Sequence, residues 1–299
     1  WICVVLWWTA AGADTVLHVA PSGEDGAAGS HAAPLRSIAA AVAKARTSPK
    51  PVTIRLHGGR HEQDSTLELG PEDSGLTFVA EGKERPVISG GRRVTGWSES
   101  ASRPGLWKVT IPEVREGRWY FHQLFLDGRR LQRARTPNEG FFRTRDRLGT
   151  NSPIAIPFRP GEIKSEWASL PDARLVMLMK WTDLQVPIRS VDAEQNVALV
   201  PGAARPYWMD EREARYWVEN VPDALDAPGE WYLDRKSGEL SLMAPAGVNP
   251  NTAQVVAPRL VSLLRVAGDA AGRRAVTSLK FSGLGFAETD YEVPADGMI

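Results

Sequence analysis

The amino-acid sequence predicts an all-β fold: a solenoid of short stacked coils, covered at its start by one helix and interrupted by an inserted antiparallel β domain. Three observations carry this. Brief β-prone runs at Val52–Leu56, Ser65–Leu69, Leu76–Ala80, Pro86–Ser89 and Arg93–Trp97 follow one another closely, separated by the corners Gly58-Gly59, Gly82 and Gly90-Gly91. Runs that short bury their apolar faces only when coils stack. The region from Ser98 to Asn251 departs from that rhythm, being rich in Trp, Pro and charge, and the rhythm returns from Ala253. Finally, the single cysteine, Cys3, leaves no disulfide framework in 299 residues, so stability must come from a large regular core.

In chain order, the opening run Trp1 to Trp8 is apolar, and Thr9 to Ala13 supplies small residues before Asp14, as in the hydrophobic region and cleavage site of a signal peptide. The run is too short to span a bilayer, and no later stretch is long and apolar enough to do so. Residues 1–13 therefore read as a partial export signal, entered without an initiator Met or basic leader. The mature protein reads as secreted or periplasmic, with no membrane span after signal removal.

Residues 14–97 read as cap and first coils. Thr15 to Ala20 is a short strand ended by the turn cluster Pro21 to Gly26. Leu35, Ile38, Val42 and Ala45 then recur at helical spacing, with Ser37 placed as N-cap and Pro49 and Pro51 beyond the end. Such a helix covers the first coil, whose strand edge and apolar cross-section would otherwise face water.

Residues 98–252 read as the inserted β domain. Asp127-Gly128, between Gln123–Leu126 and Arg129–Leu131, is the strongest hairpin signal. A second hairpin is expected from Trp231–Leu233 to Leu240–Leu242 through Arg235–Gly238. Arg174 to Trp181 reads as a buried strand rather than a core helix, on its length and the preceding Pro171. Residues 253–299 return to coils at Gln254–Val256, Leu260–Val266 and Thr277–Phe286. The chain then stops without a closing repeat, so it reads as truncated, with a last coil expected to associate with other copies.

Lys+Arg and Asp+Glu are both 36, which removes a net electrostatic pull toward nucleic acid or an anionic membrane. A neutral partner fits better. Eleven Trp stand against five Tyr and eight Phe, and flat indole faces suit sugar rings, although the same residues also pack small β cores.

Several strings carry a family resemblance. VAPSGEDG followed by PLRSIAAAVAKAR resembles the first strand and capping helix of right-handed parallel β-helix proteins of the pectate-lyase-like superfamily. PVISGGRRVTGW, QLFLDGRRLQRARTPN and ENVPDALDAPGEWYLDRKSGELSLMAP resemble the β-helix glycoside hydrolases with an inserted β domain, families 141 and 120. The resemblance implies a right-handed parallel β-helix with an N-terminal capping helix, and paired-carboxylate hydrolysis of a cell-wall polysaccharide or oligosaccharide. It also implies a catalytic pair on coils beyond Ile299, so no position here matches the catalytic motif. Two alternatives stay open: a β-helix lyase with a Lys or Arg base and an acidic calcium site, or a non-catalytic glycan-binding or adhesion protein, because fold does not fix function.

Glycoside hydrolysis needs two carboxyl groups facing one bond. Glu288, Asp290 and Glu292 alternate and would project from one side if extended; as a plain corner loop they would be solvated. Trp208, Asp210, Glu211 and Glu213 form a second cluster, whose ordinary reading is a solvated face. Tyr207, Trp208 and Trp217 are candidates to stack on sugar, or to pack in a core. The substrate-binding candidates are thus Tyr207, Trp208, Asp210, Trp217, Asp290 and Glu292, with carbohydrate as partner. Arg133, Arg135 and Asn138 bring hydrogen-bond donors, with structural pairing the default.

No cofactor is implied. Gly23, Gly26 and Gly29 have the wrong spacing for dinucleotide binding, and GxxxxGK[ST] and GxSxG motifs are absent. His57 and His61 have the spacing of a helical metal pair, but Gly58-Gly59 between them argues against a helix, so no metal is expected.

Overall fold

Alternation along Thr15–Val19 (β1) and Val52–Glu62 (β2) sends Leu17, Val19, Val52, Ile54 and Leu56 to one side, where all are buried in one core. The computed structural model describes residues 14–149, 151–202 and 212–298, and these fall into two units. One comprises the chain up to Gly91 with Leu260–Thr289; the other comprises Arg92–Arg259 with the chain from Asp290. The expected export signal at residues 1–13 lies outside the described residues.

In the first unit, β1 and β2 pair in parallel, and β2 pairs in parallel with Thr77–Ser89 (β4). The short strand Leu67–Leu69 (β3) lies between them in sequence and pairs in parallel with Leu264–Val266. Lys280–Ser282 and Gly285–Ala287 add in parallel to β4, at Thr77–Val79 and Val87–Ser89. The early and late β-prone runs therefore share ladders, and Phe281 stacks on Phe78 with ring centroids 4.8 Å apart.

The helix Ile38–Arg46 (α1) starts where its cap requires. Ser37 Oγ accepts from the Ala40 N–H at 3.0 Å, and Asp25 accepts from the Arg36 and Ser37 N–H groups. Its apolar side, Ile38, Ala41, Val42 and Ala45, joins the β1–β2 core. At the other end Arg46 holds the fully buried Asp73 through two hydrogen bonds of 2.9 and 2.8 Å. Burial alone would raise the Asp73 carboxyl, but Arg46 and the Gly70 N–H outweigh it and hold it below the ordinary carboxylate range.

The second unit is built mainly of antiparallel sheets. One runs Gln132–Arg133, Glu230–Leu233, Glu239–Met243, Leu106–Thr110 and Ser98–Glu99, its first pair being parallel. Another runs Arg135–Thr136, Arg215–Glu219, Arg174–Leu178 and Asp183–Pro187, with Phe142–Arg143 also on Arg215–Glu219. Both expected hairpins form. Asp127 (φ 47°) and Gly128 (φ 77°) turn Phe125–Leu126 into Arg129–Arg130 with two left-handed residues. Gly238 (φ 73°) closes the second hairpin, where a Cβ would stand 2.6 Å from the Ile111 carbonyl oxygen. Arg174–Leu178 is a buried strand, as its length indicated.

The chain is thus all-β in its main elements, in several mixed sheets, and three local expectations are corrected. Gly59 (φ 108°) and Gly82 (φ 82°) lie inside β2 and β4 rather than between strands. A left-handed residue bends the strand there while pairing continues past a register shift at His57/Gly59. The Arg93–Trp97 strand stops at Arg93, because Trp97 turns inward, donating its Nε1–H to the Val94 carbonyl at 3.0 Å. Gln254–Val256 is not a coil strand: Val255–Pro258 pairs antiparallel with Phe125–Leu126 in the second unit. Among the described residues, no helix is long and apolar enough to cross a membrane.

Phe78 is 0% exposed, so Phe78→Ala should cost about 3–5 kcal/mol in chemical denaturation. A loss below about 1 kcal/mol would mean that Lys280–Ser282 does not pack on β4.

Candidate functional site

The strand Arg215–Glu219 alternates: Tyr216 and Val218 enter the core, leaving Arg215, Trp217 and Glu219 on the opposite face. Register places Arg174 and Arg135 beside Glu219, so that face concentrates charge next to an indole. Chain segments carrying Tyr120, His122 and Arg133 contribute the rest of a polar cluster.

Arg133 is its centre. The residue is 7% exposed, and it donates from Nη2 to the Tyr120 hydroxyl at 3.0 Å. Its Nη1 lies 3.6 Å from Glu219 Oε1, and its guanidinium lies over the Trp231 ring at 5.4 Å. Arg133 Nε and Trp231 Nε1 are buried donors with no acceptor among the described residues. An unsatisfied buried donor costs about 1–3 kcal/mol, so both N–H groups lower the stability of this cluster.

Tyr120 is covered on its ring by Arg235, whose guanidinium lies 3.6 Å from the centroid and makes a two-point contact of 2.8 and 2.7 Å with Asp172. Burial pushes the Tyr120 phenol up to about 12, against the opposing effect of Arg133. It is therefore a neutral hydroxyl at ordinary pH.

His122 is held by Asp290. The carboxylate accepts the His122 backbone N–H at 3.1 and 3.0 Å, and Asp290 Oδ2 lies 3.2 Å from the imidazole Nδ1. A Nδ1 proton donated to Asp290 leaves Nε2 as an acceptor. The Tyr291 ring lies 5.3 Å from the imidazole. Together these residues offer a neutral phenol and an oriented imidazole, a set suited to hydroxyl groups.

Of the residues singled out from sequence, Arg133 and Asp290 belong to this cluster. Trp217 borders it, donating Nε1–H to Glu219 at 3.1 Å with the Arg135 guanidinium 4.6 Å over its ring. It packs neither in the core nor fully open to solvent. Glu292 is exposed. Tyr207, Trp208, Asp210 and Glu211 lie outside the described residues.

The expected one-sided alternation of Glu288, Asp290 and Glu292 is not formed, because Glu288 is left-handed (φ 62°). Glu288 is buried in the first unit, bound to Arg60 Nη1 at 2.5 Å and to the Ser89 hydroxyl, so neither it nor Asp290 is a solvated corner residue. Glu213 is exposed, with the Arg159 guanidinium 3.9 Å away. Arg135 and Asn138 make structural pairs, to the Pro137 and Gly140 carbonyls and to Asp226. His61 is buried, donating Nε2–H to the His57 carbonyl at 2.8 Å, while His57 meets His18 and His31 instead.

The roles of Tyr120, His122, Asp172 and Arg235 escaped sequence reasoning. The i, i+2 spacing of Tyr120 and His122 was their only local signal, since Asp290 is 168 residues from His122.

No family model matches this chain, and no curated protein does. Among solved structures, the chain is similar to one described as a glycoside hydrolase, with a TM-score of 0.78 and 23% identity, over 95% of this chain and 52% of that one. A second, XylC in complex with xylose, has a TM-score of 0.43 and 15% identity, over 94% of this chain and 36% of that one. The chain spans about half the length of the first structure, with which it shares a fold.

Tyr120 and Tyr232 are both pushed up to about 12 by burial. Unfolded tyrosine ionises near pH 10, so between about pH 10 and 12 the unfolded state binds fewer protons and stability falls as pH rises. Tyrosinate absorbance should therefore appear together with loss of the circular-dichroism signal. Free titration of both phenols near pH 10 in folded protein would show an open cluster. At neutral pH, Tyr120→Phe should cost about 1–2 kcal/mol by leaving Arg133 Nη2 without its acceptor.

Proposed function

We propose that this chain is the N-terminal part of an exported carbohydrate-active enzyme, a glycoside hydrolase acting on cell-wall polysaccharide or oligosaccharide. The observation that carries the reading is the likeness, along 95% of the chain, to the fold of a solved glycoside hydrolase. In this reading the parallel strands of the first unit are the opening coils of a right-handed parallel β-helix of the pectate-lyase-like kind, as in glycoside hydrolase families 141 and 120. The second unit is the inserted β domain.

The chemistry of the cluster supports the same reading. A neutral sugar presents hydroxyls that donate and accept, together with an apolar ring face. His122, whose side chain keeps some exposure, would accept a hydroxyl proton at Nε2. The exposed Phe141, whose ring centroid lies 5.8 Å from that of Trp217, adds an aromatic edge.

The buried carboxylates hold other groups in place. Asp73 holds Arg46, Asp172 holds Arg235, Glu288 holds Arg60, and Glu230 accepts backbone N–H groups of Asp226 and Ala227. Asp290 orients His122. These described carboxylates position other groups, and in this reading the acid and nucleophile or base pair of the hydrolysis lies on coils beyond Ile299. Trp217 and Asp290, with Tyr207, Trp208, Asp210 and Glu292, are the candidate substrate contacts.

The full-length protein, incubated with neutral and uronate-containing cell-wall polysaccharides, should release new reducing ends without forming a carbon–carbon double bond. His122→Ala should raise KM about tenfold, the loss of roughly one hydrogen bond, with the fold intact by circular dichroism. Calcium-dependent release of an unsaturated product would make the protein a lyase. Glycan binding without turnover would make it a binding protein.

A further inference from the structure

We propose that His18, His31 and His57 form a binding site for a first-row transition-metal cation of the zinc, nickel or copper class. The site is independent of the carbohydrate reading, and its residues all lie in the first unit.

The placement follows from strand alternation. Leu17 and Val19 of β1, and Ile54 and Leu56 of β2, face the core, which turns His18 and His57 to the outer face. In the parallel register His18 stands opposite Arg55, two residues before His57, and His57 stands opposite Glu81. His31 arrives from the loop after β1. That loop folds back because the Gly29 carbonyl accepts the His18 N–H at 2.7 Å, with Gly29 itself left-handed (φ 77°).

The three rings form a nearly equilateral triangle, with centroid separations of 5.0 Å (His18–His31), 5.3 Å (His18–His57) and 5.2 Å (His31–His57). Zinc binds imidazole nitrogen at about 2.0–2.1 Å, and that nitrogen is about 1.1 Å from its ring centroid. Three imidazoles on a tetrahedral ion therefore have centroids about 5.2 Å apart. The rings do not stack, their planes meeting at 79°, 76° and 44°. His18 Nδ1 and His57 Nε2 already face each other at 3.1 Å. Two nitrogens on one tetrahedral ion are about 3.3 Å apart, so this pair needs a displacement of about 0.2 Å to take the ion in place of the shared proton.

Among the described residues no three donors are placed to hold a metal ion as they stand, so metal binding requires a side-chain rotation that turns the exposed His31 inward. The surrounding charges are Arg55 and Glu81, joined at 2.7 Å. Burial, with the two neighbouring imidazoles and Arg55, lowers the proton affinity of His18 against the pull of Glu81, which favours the neutral ring a metal needs. Glu81 can also serve as a fourth ligand or as the outer partner of His57.

Calorimetric titration of the purified protein with zinc at about pH 7.5 should give one site with micromolar or tighter affinity. Cobalt should give the visible absorption of a tetrahedral nitrogen site, while magnesium and calcium should not compete. His31→Ala alters an exposed residue and leaves the fold in place; it should weaken zinc binding at least about tenfold, and His57→Gln should abolish it. Absence of saturable zinc and nickel binding, or affinity unchanged in both variants, would overturn the proposal and leave a hydrogen-bonded histidine pair.

Discussion

The first unit depends on one strand having both edges occupied. β4 pairs with β2 on one side and with Lys280–Ser282 and Gly285–Ala287 on the other, all in parallel. Parallel partners cannot be joined by a tight turn, so each edge must be supplied by chain that has travelled away and come back. The late strands return after almost two hundred residues, at an entropic cost that rises only logarithmically with loop length. Paired backbone on both edges and the Phe78–Phe281 stack offset that cost.

What was legible in the sequence was local. The α1 helix, its Ser37 cap and the Asp127-Gly128 turn are set by residues a few positions apart, and each forms where pattern and turn chemistry place it. The errors arose where one local signal has two structural solutions. A glycine pair that can end a strand can also bend it, and β2 runs through Gly58-Gly59 because its partner in β4 continues as well. The apolar run Val255–Pro258 fits a coil strand and an antiparallel partner of Phe125–Leu126 equally well by composition. Only tertiary pairing separates them.

The candidate site shows the same limit more sharply. Asp290 could be nominated because carboxylates are visible in sequence, but its role comes from His122, brought to it by the fold. Arg133 and Arg135 look alike in LQRARTPN. One is buried against Tyr120 and Glu219, and the other satisfies nearby carbonyls. Burial decides the difference, and burial of a guanidinium is a property of everything packed around it.

Parallel pairing also explains why chemistry gathers on outer faces. In-register parallel strands repeat their side chains about 4.8 Å apart across the ladder, so residues turned outward on neighbouring strands become near neighbours whatever their distance in sequence. His18 and His57, 39 residues apart, meet on that face one outward position out of register, since His18 stands opposite Arg55. Glu81 then follows from the next strand through the His57 pairing. A helical i, i+4 rule applied to His57 and His61 pairs the wrong imidazoles, because in a strand His61 lies past a bulge and turns to the His57 carbonyl. For a chain of this architecture, the informative spacing between candidate ligands is the number of residues per return to the ladder, give or take one outward position.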